Sequence, residues 1–163
     1  MNAIPSQAGR ATLLGAIQIE ARNAAIYDSL AQLFQGYDDS VTTLFCEMAA
    51  EERRHGAELE ERYRQRFGPP PSSAEAPKEA IEAPDLDDPE ALIFDSMTIE
   101  QALELGLRAE ETAREFYRRE VSRTADPGLQ ETYRELAEFE ETHVRLLKEK
   151  LAEKRRAPSS TSR

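Results

Sequence analysis

The chain is 163 residues long and carries 32 acidic against 21 basic residues, which gives a formal net charge of −11. This length allows one compact domain with a sizeable core. The acidic excess argues against nucleic acid or an anionic membrane surface as the main partner. The single cysteine, Cys46, excludes a disulfide framework, a cysteine-based zinc site and a four-cysteine iron site. Since no apolar run is long enough for a membrane span and no secretory signal is evident, we expect a cytoplasmic protein.

Helical periodicity marks a first segment at about residues 8–35 and a second at about 40–67. The second segment follows Asp38, which together with Asp39 and Ser40 offers N-cap chemistry. Gly68 and three successive prolines then stop it. The short connection predicts that the two helices form an antiparallel hairpin.

A third segment at about residues 98–124 and a fourth at about 127–154 have the same character. The third begins with Thr98 and Gln101, which have the spacing of a capping box. Asp126 is the expected N-cap of the fourth, ahead of a first-turn proline. These two helices should form a second antiparallel hairpin.

A proline-rich link at about residues 69–97 joins the two hairpins, and a frayed tail is expected at 156–163. The link is about long enough to cross a bundle from end to end, and no strand signal is present. The sequence therefore predicts an all-α fold. Residues 1–155 would form one ferritin-like four-helix bundle with a long crossover between two hairpins.

The two halves of the chain repeat a pattern of glutamate and tyrosine. Glu20 precedes Tyr27 by seven residues in the first helix, and Glu110 precedes Tyr117 by seven in the third. Glu20 lies in line with the apolar stripe, where a solvated glutamate would not normally occur and an isolated charge would be costly. Glu20 therefore needs a partner, and the same stripe selects Glu110 over Glu111.

The second helix of each half carries a Glu-x-x-His motif, Glu52 with His55 and Glu140 with His143. Residues at i and i+3 share a helix face and can converge on one point. With the two stripe glutamates they supply four carboxylates and two imidazoles, the ligand set of di-iron and di-manganese carboxylate bundles. Four carboxylates would also balance the charge of two divalent ions. The candidate metal ligands are Glu20, Glu52, His55, Glu110, Glu140 and His143.

A simpler interpretation of Glu52 and Glu140 is that they are surface acids, as we expect Glu51, Glu58 and Glu141 to be. The matched pattern on both hairpins favours the metal site. Tyr27 and Tyr117 also have two interpretations. They are core residues with a bonded hydroxyl, or their hydroxyls support the site by bonding a ligating carboxylate.

These motifs, Glu20…Tyr27, Glu52-Arg-Arg-His55, Glu110…Tyr117 and Glu140-Glu-Thr-His143, resemble the di-iron domain of the rubrerythrin branch of the ferritin-like superfamily. The resemblance spans about residues 8–154. It implies a non-haem di-iron oxidoreductase that oxidises ferrous iron while reducing hydrogen peroxide or dioxygen. Two iron ions are the implied cofactor, although manganese or zinc could occupy such ligands. A homodimer is expected, and the middle link could reach either way, so the sequence leaves open whether hairpins are exchanged between chains.

Two departures from the rubrerythrin pattern matter. Full-length rubrerythrins carry a rubredoxin-like domain with four cysteine ligands, so with one cysteine this chain should use an external electron donor such as a rubredoxin or a reductase. Rubrerythrins also have a further carboxylate three residues along the third helix, where this chain has Ala113. The alternative function is an iron-binding or storage protein without peroxidase turnover. A purely structural bundle would leave Glu20 on the core stripe unexplained.

Overall fold

The computed structural model describes residues 7–71 and 93–156, and these residues form four α-helices without any strand. The predicted all-α bundle is confirmed, and the observed helix ends differ from the predicted ones by no more than two residues. Most of the predicted link (72–92) and of the tail (157–163) lies outside the described residues. No helix in the described ranges is both long and apolar enough to cross a membrane. The helices are α1 (Gln7–Phe34), α2 (Asp39–Phe67), α3 (Ile99–Arg123) and α4 (Pro127–Arg156).

The helix ends are set by the residues that the sequence singled out. Of the three candidate caps for α2, the structure uses Asp38, whose Oδ1 accepts a hydrogen bond of 3.0 Å from the Val41 backbone N–H. Gly68 follows α2 with a φ of 83°, a left-handed conformation that favours glycine. At α3, Thr98 and Gln101 form both hydrogen bonds of the capping box.

The helices pair as two antiparallel hairpins, α1 with α2 and α3 with α4, and α1 also packs against α3. Two apolar clusters form the core. One, which we call the Phe45 cluster, includes Leu30, Phe45 and Leu103. The other, the Tyr133 cluster, includes Leu13, Leu59 and Tyr133. In every helix the fully buried glutamates and the histidines fall between the stretches that supply these clusters, so a polar layer crosses the middle of the bundle.

Two ion pairs join the ends of the hairpins, and they occupy matching places in the repeat. Asp38, the cap of α2, contacts Lys154 near the end of α4 at 2.6 Å. Asp126, which caps α4 by accepting from the Leu129 N–H, contacts Arg66 near the end of α2 at 2.9 Å. Each hairpin thus supplies an acid at its turn and a base at the end of its second helix. We call these two contacts the end latches.

Candidate metal centre

The polar layer brings together all six side chains that the sequence selected as metal ligands. They fall into two overlapping groups, in each of which four ligand atoms lie within 4.8 Å of one another. We call these groups the His55 subsite and the His143 subsite. Two glutamates, Glu52 and Glu140, belong to both. The His55 subsite consists of Glu20, Glu52, His55 and Glu140, and the His143 subsite of Glu52, Glu110, Glu140 and His143.

The six side chains are buried, and most of the atoms that face one another lack hydrogen bonds. None of the four glutamates has exposed surface, and each histidine is only 1% exposed. Within the described part of the chain, eight of their nitrogen and oxygen atoms have no hydrogen-bond partner. Buried polar atoms are normally satisfied, so this concentration of unpartnered oxygen and nitrogen atoms is typical of a cation-binding site. The eight atoms are Oε2 of Glu20 and Glu110, both carboxylate oxygens of Glu52 and Glu140, and Nδ1 of His55 and His143.

The crowding of four carboxylates changes their affinity for protons. Burial, and then the charge of Glu110, raises the pKa values of Glu52 and Glu140 well above the usual range. Burial also acts to raise the pKa of Glu110, but its contacts with Glu140, His143 and Tyr27 outweigh that effect and lower it. Without a cation, the layer therefore holds extra protons.

The charge of the glutamates also acts on His143. Its Nδ1 lies 3.1 Å from Glu52 Oε1 and 3.4 Å from Glu110 Oε2, close enough for charge attraction but without hydrogen-bond alignment. Burial acts to lower the pKa of His143, but the carboxylates of Glu110, Glu140 and Glu52 outweigh it and raise the pKa far above that of a free imidazole. In the absence of metal, His143 acts as a counter-ion for the glutamates.

Tyr27 and Tyr117 each reach across the bundle to a glutamate of the other hairpin. The Tyr27 hydroxyl on α1 donates to Glu110 on α3, and the Tyr117 hydroxyl on α3 donates to Glu20 on α1. Burial and the nearby carboxylates raise the pKa of both phenols, which keeps the hydroxyl proton in place as a donor. Each tyrosine therefore bonds the glutamate of the opposite half rather than the one on its own helix.

Glu51 is a residue that the sequence analysis assigned to the solvated surface. Its side chain is 48% exposed, but its Oε2 lies 2.6 Å from Nε2 of His143, the ring nitrogen that points away from the cluster. An exposed glutamate directly before Glu52 gives no periodic signal, so the pattern could not select it. The useful signal would have been chemical, because a metal-binding histidine commonly has a hydrogen-bond partner on its second nitrogen.

His55 has different surroundings at the corresponding edge. The residue that matches Glu51 in the repeat is Phe139, whose ring centroid lies 4.7 Å from that of His55. Nε2 of His55 lies 3.4 Å from Nη2 of Arg54, and the Arg54 guanidinium also lies over the Phe139 ring at 5.7 Å. A cavity of about 20 Å³ borders the His55 ring, with Glu58 and Arg62 among its lining residues.

The position of the additional rubrerythrin carboxylate is occupied by buried Ala113. Glu111 cannot replace it, because Glu111 pairs with Lys148 at 3.1 Å on a more exposed face. The residue that corresponds to Ala113 on α1 is Asn23, which is fully buried. Neither polar atom of the Asn23 side chain has a hydrogen-bond partner among the described residues. The sequence motifs consist of acids and histidines, so they do not identify the amide of Asn23.

The donor set fits a pair of divalent ions. Carboxylate oxygens with two imidazole nitrogens suit iron or manganese, and two shared carboxylates allow two ions to lie close together. Four carboxylates contribute four negative charges, which two divalent ions would neutralise. The unpartnered atoms are the same ones that such ions would use.

Comparison with known proteins agrees with the geometry. The family model described as Rubrerythrin matches residues 12–152. An uncharacterised conserved protein from Magnetospirillum magnetotacticum MS-1 has a similar structure, with a TM-score of 0.70 and 23% identity over 91% of this chain and 95% of that one. A hypothetical protein from Pyrococcus furiosus has a TM-score of 0.70 and 28% identity over 88% of both chains. No curated protein matches the chain.

Proposed function

The chain belongs to the rubrerythrin family, and we propose from this premise that it is a non-haem di-iron oxidoreductase that reduces hydrogen peroxide or dioxygen. The observation that supports the proposal is the pair of overlapping carboxylate and histidine groups with their unpartnered atoms. The proposed metal ligands are Glu20, Glu52, His55, Glu110, Glu140 and His143. Bound as a ferrous pair, two iron ions supply the two electrons that convert one hydrogen peroxide and two protons into two waters.

Two tyrosine hydroxyls hold two of the ligating glutamates in place. Tyr27 and Tyr117 keep one oxygen each of Glu110 and Glu20 in a hydrogen bond. The second oxygen of each glutamate is left unpartnered and can bind a cation. Because both phenols remain protonated, they act as donors to the carboxylates and do not compete for metal.

The two apolar clusters isolate the layer from solvent along the bundle axis. The Phe45 cluster lies on one side and the Tyr133 cluster on the other. Charges interact strongly in such surroundings, so two cations would be held firmly by four carboxylates. The same isolation from water makes the ionised form of the four carboxylates costly when no cation is bound.

The electrons that restore the ferrous pair would come from an external donor, such as a rubredoxin or a reductase. The 163 residues contain one cysteine, and a rubredoxin site needs four. Cys46 is exposed on α2 and is not among the groups that could hold a metal in the described residues. The donor is therefore proposed to lie outside these 163 residues.

Anaerobic titration of the metal-free protein with Fe²⁺, followed by peroxide or oxygen, tests the proposal. We expect about two ions per chain and an oxidised di-iron absorption band whose appearance consumes one peroxide per pair. Faster reaction with peroxide than with oxygen would support peroxidase activity, and the reverse would support ferroxidase activity. Continued iron uptake far beyond two ions would contradict the proposal in favour of storage. The matched control is Glu47→Gln, which removes one exposed acid from α2.

A further inference from the structure

We propose that the two subsites are unequal, and that the His143 subsite binds the first divalent ion while the His55 subsite binds the second more weakly. This inference rests on the proposed metal centre. Its basis is a difference between the two halves of the site at the outer edges of the two histidines. There Glu51 contacts His143, whereas Phe139 and Arg54 contact His55.

Glu51 favours the form of His143 that binds a metal. A carboxylate only accepts hydrogen bonds, so at 2.6 Å the Nε2 of His143 must carry a proton and donate it to Glu51 Oε2. When a cation displaces the second proton of His143, the ring keeps its Nε2 proton on Glu51 and presents the lone pair of Nδ1 without changing tautomer. Nδ1 is the atom that faces Glu52 and Glu110 in the cluster. Glu51 thus fixes the ring orientation and increases the basicity of Nδ1, which strengthens binding to a cation.

Arg54 favours the opposite form of His55. A guanidinium only donates hydrogen bonds, so its contact with Nε2 of His55 at 3.4 Å requires a lone pair on Nε2. The proton of a neutral ring is then on Nδ1, the nitrogen that faces Glu20 Oε2 at 3.4 Å. A metal at this subsite must displace that proton and shift the ring to its other tautomer.

No carboxylate of the described residues makes a hydrogen bond to Nε2 of His55. The cavity of about 20 Å³ beside the ring has room for about one water. A water would accept a hydrogen bond from Nε2 less strongly than a carboxylate does. Phe139 covers the remaining edge and offers no acceptor. Both effects make His55 the weaker ligand.

The test is an anaerobic titration of the metal-free chain with Co²⁺ alone, followed by visible absorption and calorimetry. We expect two resolved binding steps whose dissociation constants differ by at least about tenfold. Glu110 is a ligand of the His143 subsite alone, so Glu110→Gln should remove the tighter step. Glu20 is a ligand of the His55 subsite alone, so Glu20→Gln should remove the weaker step. A single step with two equal constants would overturn the inference.

Variants at the outer edge of His143 test whether Glu51 is the cause of the tighter binding step. Glu51→Ala should weaken the tighter step by about 10- to 100-fold, and Glu51→Gln should weaken it less because an amide oxygen still accepts from Nε2. Glu47→Ala, a control on the same helix, should change neither step. If Glu51→Ala weakens both steps equally, or neither, Glu51 has no specific role in positioning His143.

The His55 edge supplies the converse test, which does not depend on the Glu51 variants folding. Phe139→Glu places a carboxylate where the repeat lacks one and should strengthen the weaker step. Arg54→Ala should also strengthen it, and by more than Arg53→Ala, which removes the same charge from a side chain that contacts Asp28 instead. Equal effects of Arg54→Ala and Arg53→Ala would contradict the tautomer argument. These readouts need no turnover, so a protein that binds Co²⁺ in two steps but reduces no peroxide would contradict only the proposed function.

Discussion

The α1–α2 and α3–α4 hairpins supply the same kinds of ligands to one site but different surroundings for them. Each gives one glutamate from its first helix, a Glu-x-x-His pair from its second, and a tyrosine that bonds the opposite half. They differ at the outer edge of the histidines, where α2 offers Glu51 and α4 offers Phe139. The comparison teaches that the two hairpins have the same residues at the ligand positions, where one site needs a contribution from each. They have different residues beside the histidine rings, where each residue affects a single ligand.

The largest expected effect separates shared ligands from unshared ones. Glu52→Gln keeps the shape of the side chain but removes a carboxylate that both groups use, so metal content should fall from about two ions per chain to below about one. Glu20→Gln and Glu110→Gln each affect one subsite and should leave about one ion. Metal analysis after anaerobic loading and gel filtration measures the difference. Equal losses in all three variants would show that the two groups do not act as separate subsites.

The tyrosines test whether the two halves are equivalent in the metal-free protein. Tyr27→Phe and Tyr117→Phe each remove a hydrogen bond to a fully buried carboxylate, so each should lower the free energy of unfolding by about 1–3 kcal/mol. Urea unfolding of the apo variants measures this loss. Tyr63→Phe removes a hydroxyl that bonds Arg10 outside the site and serves as the control. Unchanged stability in both variants would mean that the glutamates are satisfied in another way.

Stability as a function of pH should distinguish apo from loaded protein. Glu52 and Glu140 have raised pKa values in the folded apo state, so their favourable contribution is present below about pH 4.5 and is lost as the pH rises through the folded values. His143 behaves in the same direction, because its contribution is fully present below its ordinary value of 6.5 and declines as the pH rises from there through the folded value. The lowered pKa of Glu110 acts in the opposite sense only below about pH 4.5.

We therefore expect the apo melting temperature to fall between about pH 5 and pH 8. The loaded protein should resist this decline, because metal binding releases those protons and strengthens as the pH rises. At free metal a hundredfold above Kd, loading should add about 2.7 kcal/mol per ion. Calorimetric scans with and without Mn²⁺ measure the gap. An apo melting temperature that rises over this range would contradict the assigned pKa directions.

The smallest expected effects concern the end latches. Asp38 is 20% exposed and Asp126 is 43% exposed, so Asp38→Ala should cost slightly more than Asp126→Ala, each about 1 kcal/mol from the lost cap. Burial acts to raise the pKa of Asp38, but hydrogen bonds from Lys154, Ser40 and the Val41 backbone outweigh it and lower the pKa to about 2. Its contribution is thus present above pH 3.8 and is lost as the pH falls towards 2. Asp39→Ala is the matched control for acid-induced unfolding.

The sequence predicted most of the architecture because the residues that end helices occur where the helical hydrophobic periodicity stops. Prolines, glycines and capping residues define the helix ends, and the glutamates on apolar stripes identify the polar layer. The pairing of Tyr27 with Glu110 rather than with Glu20 could not be predicted, since it depends on how α1 packs against α3. The contact of Glu51 with His143 could not be predicted for a related reason. Its 48% exposure fits the predicted surface acid, and only the neighbouring helix shows that its carboxylate meets His143.

The matching end latches have a consequence for how each hairpin would behave with a second copy of itself. The α1–α2 hairpin contains Asp38 and Arg66, an acid and a base at the two positions that the latches use, and it contains Glu20, Glu52 and His55. A symmetric dimer of this hairpin would carry four carboxylates and two imidazoles, with Glu51 available to both rings. The α3–α4 hairpin would give the same ligands with Phe139 at both rings. The single chain thus combines one half of each symmetric arrangement, and its one centre has Glu51 beside one histidine and Phe139 beside the other.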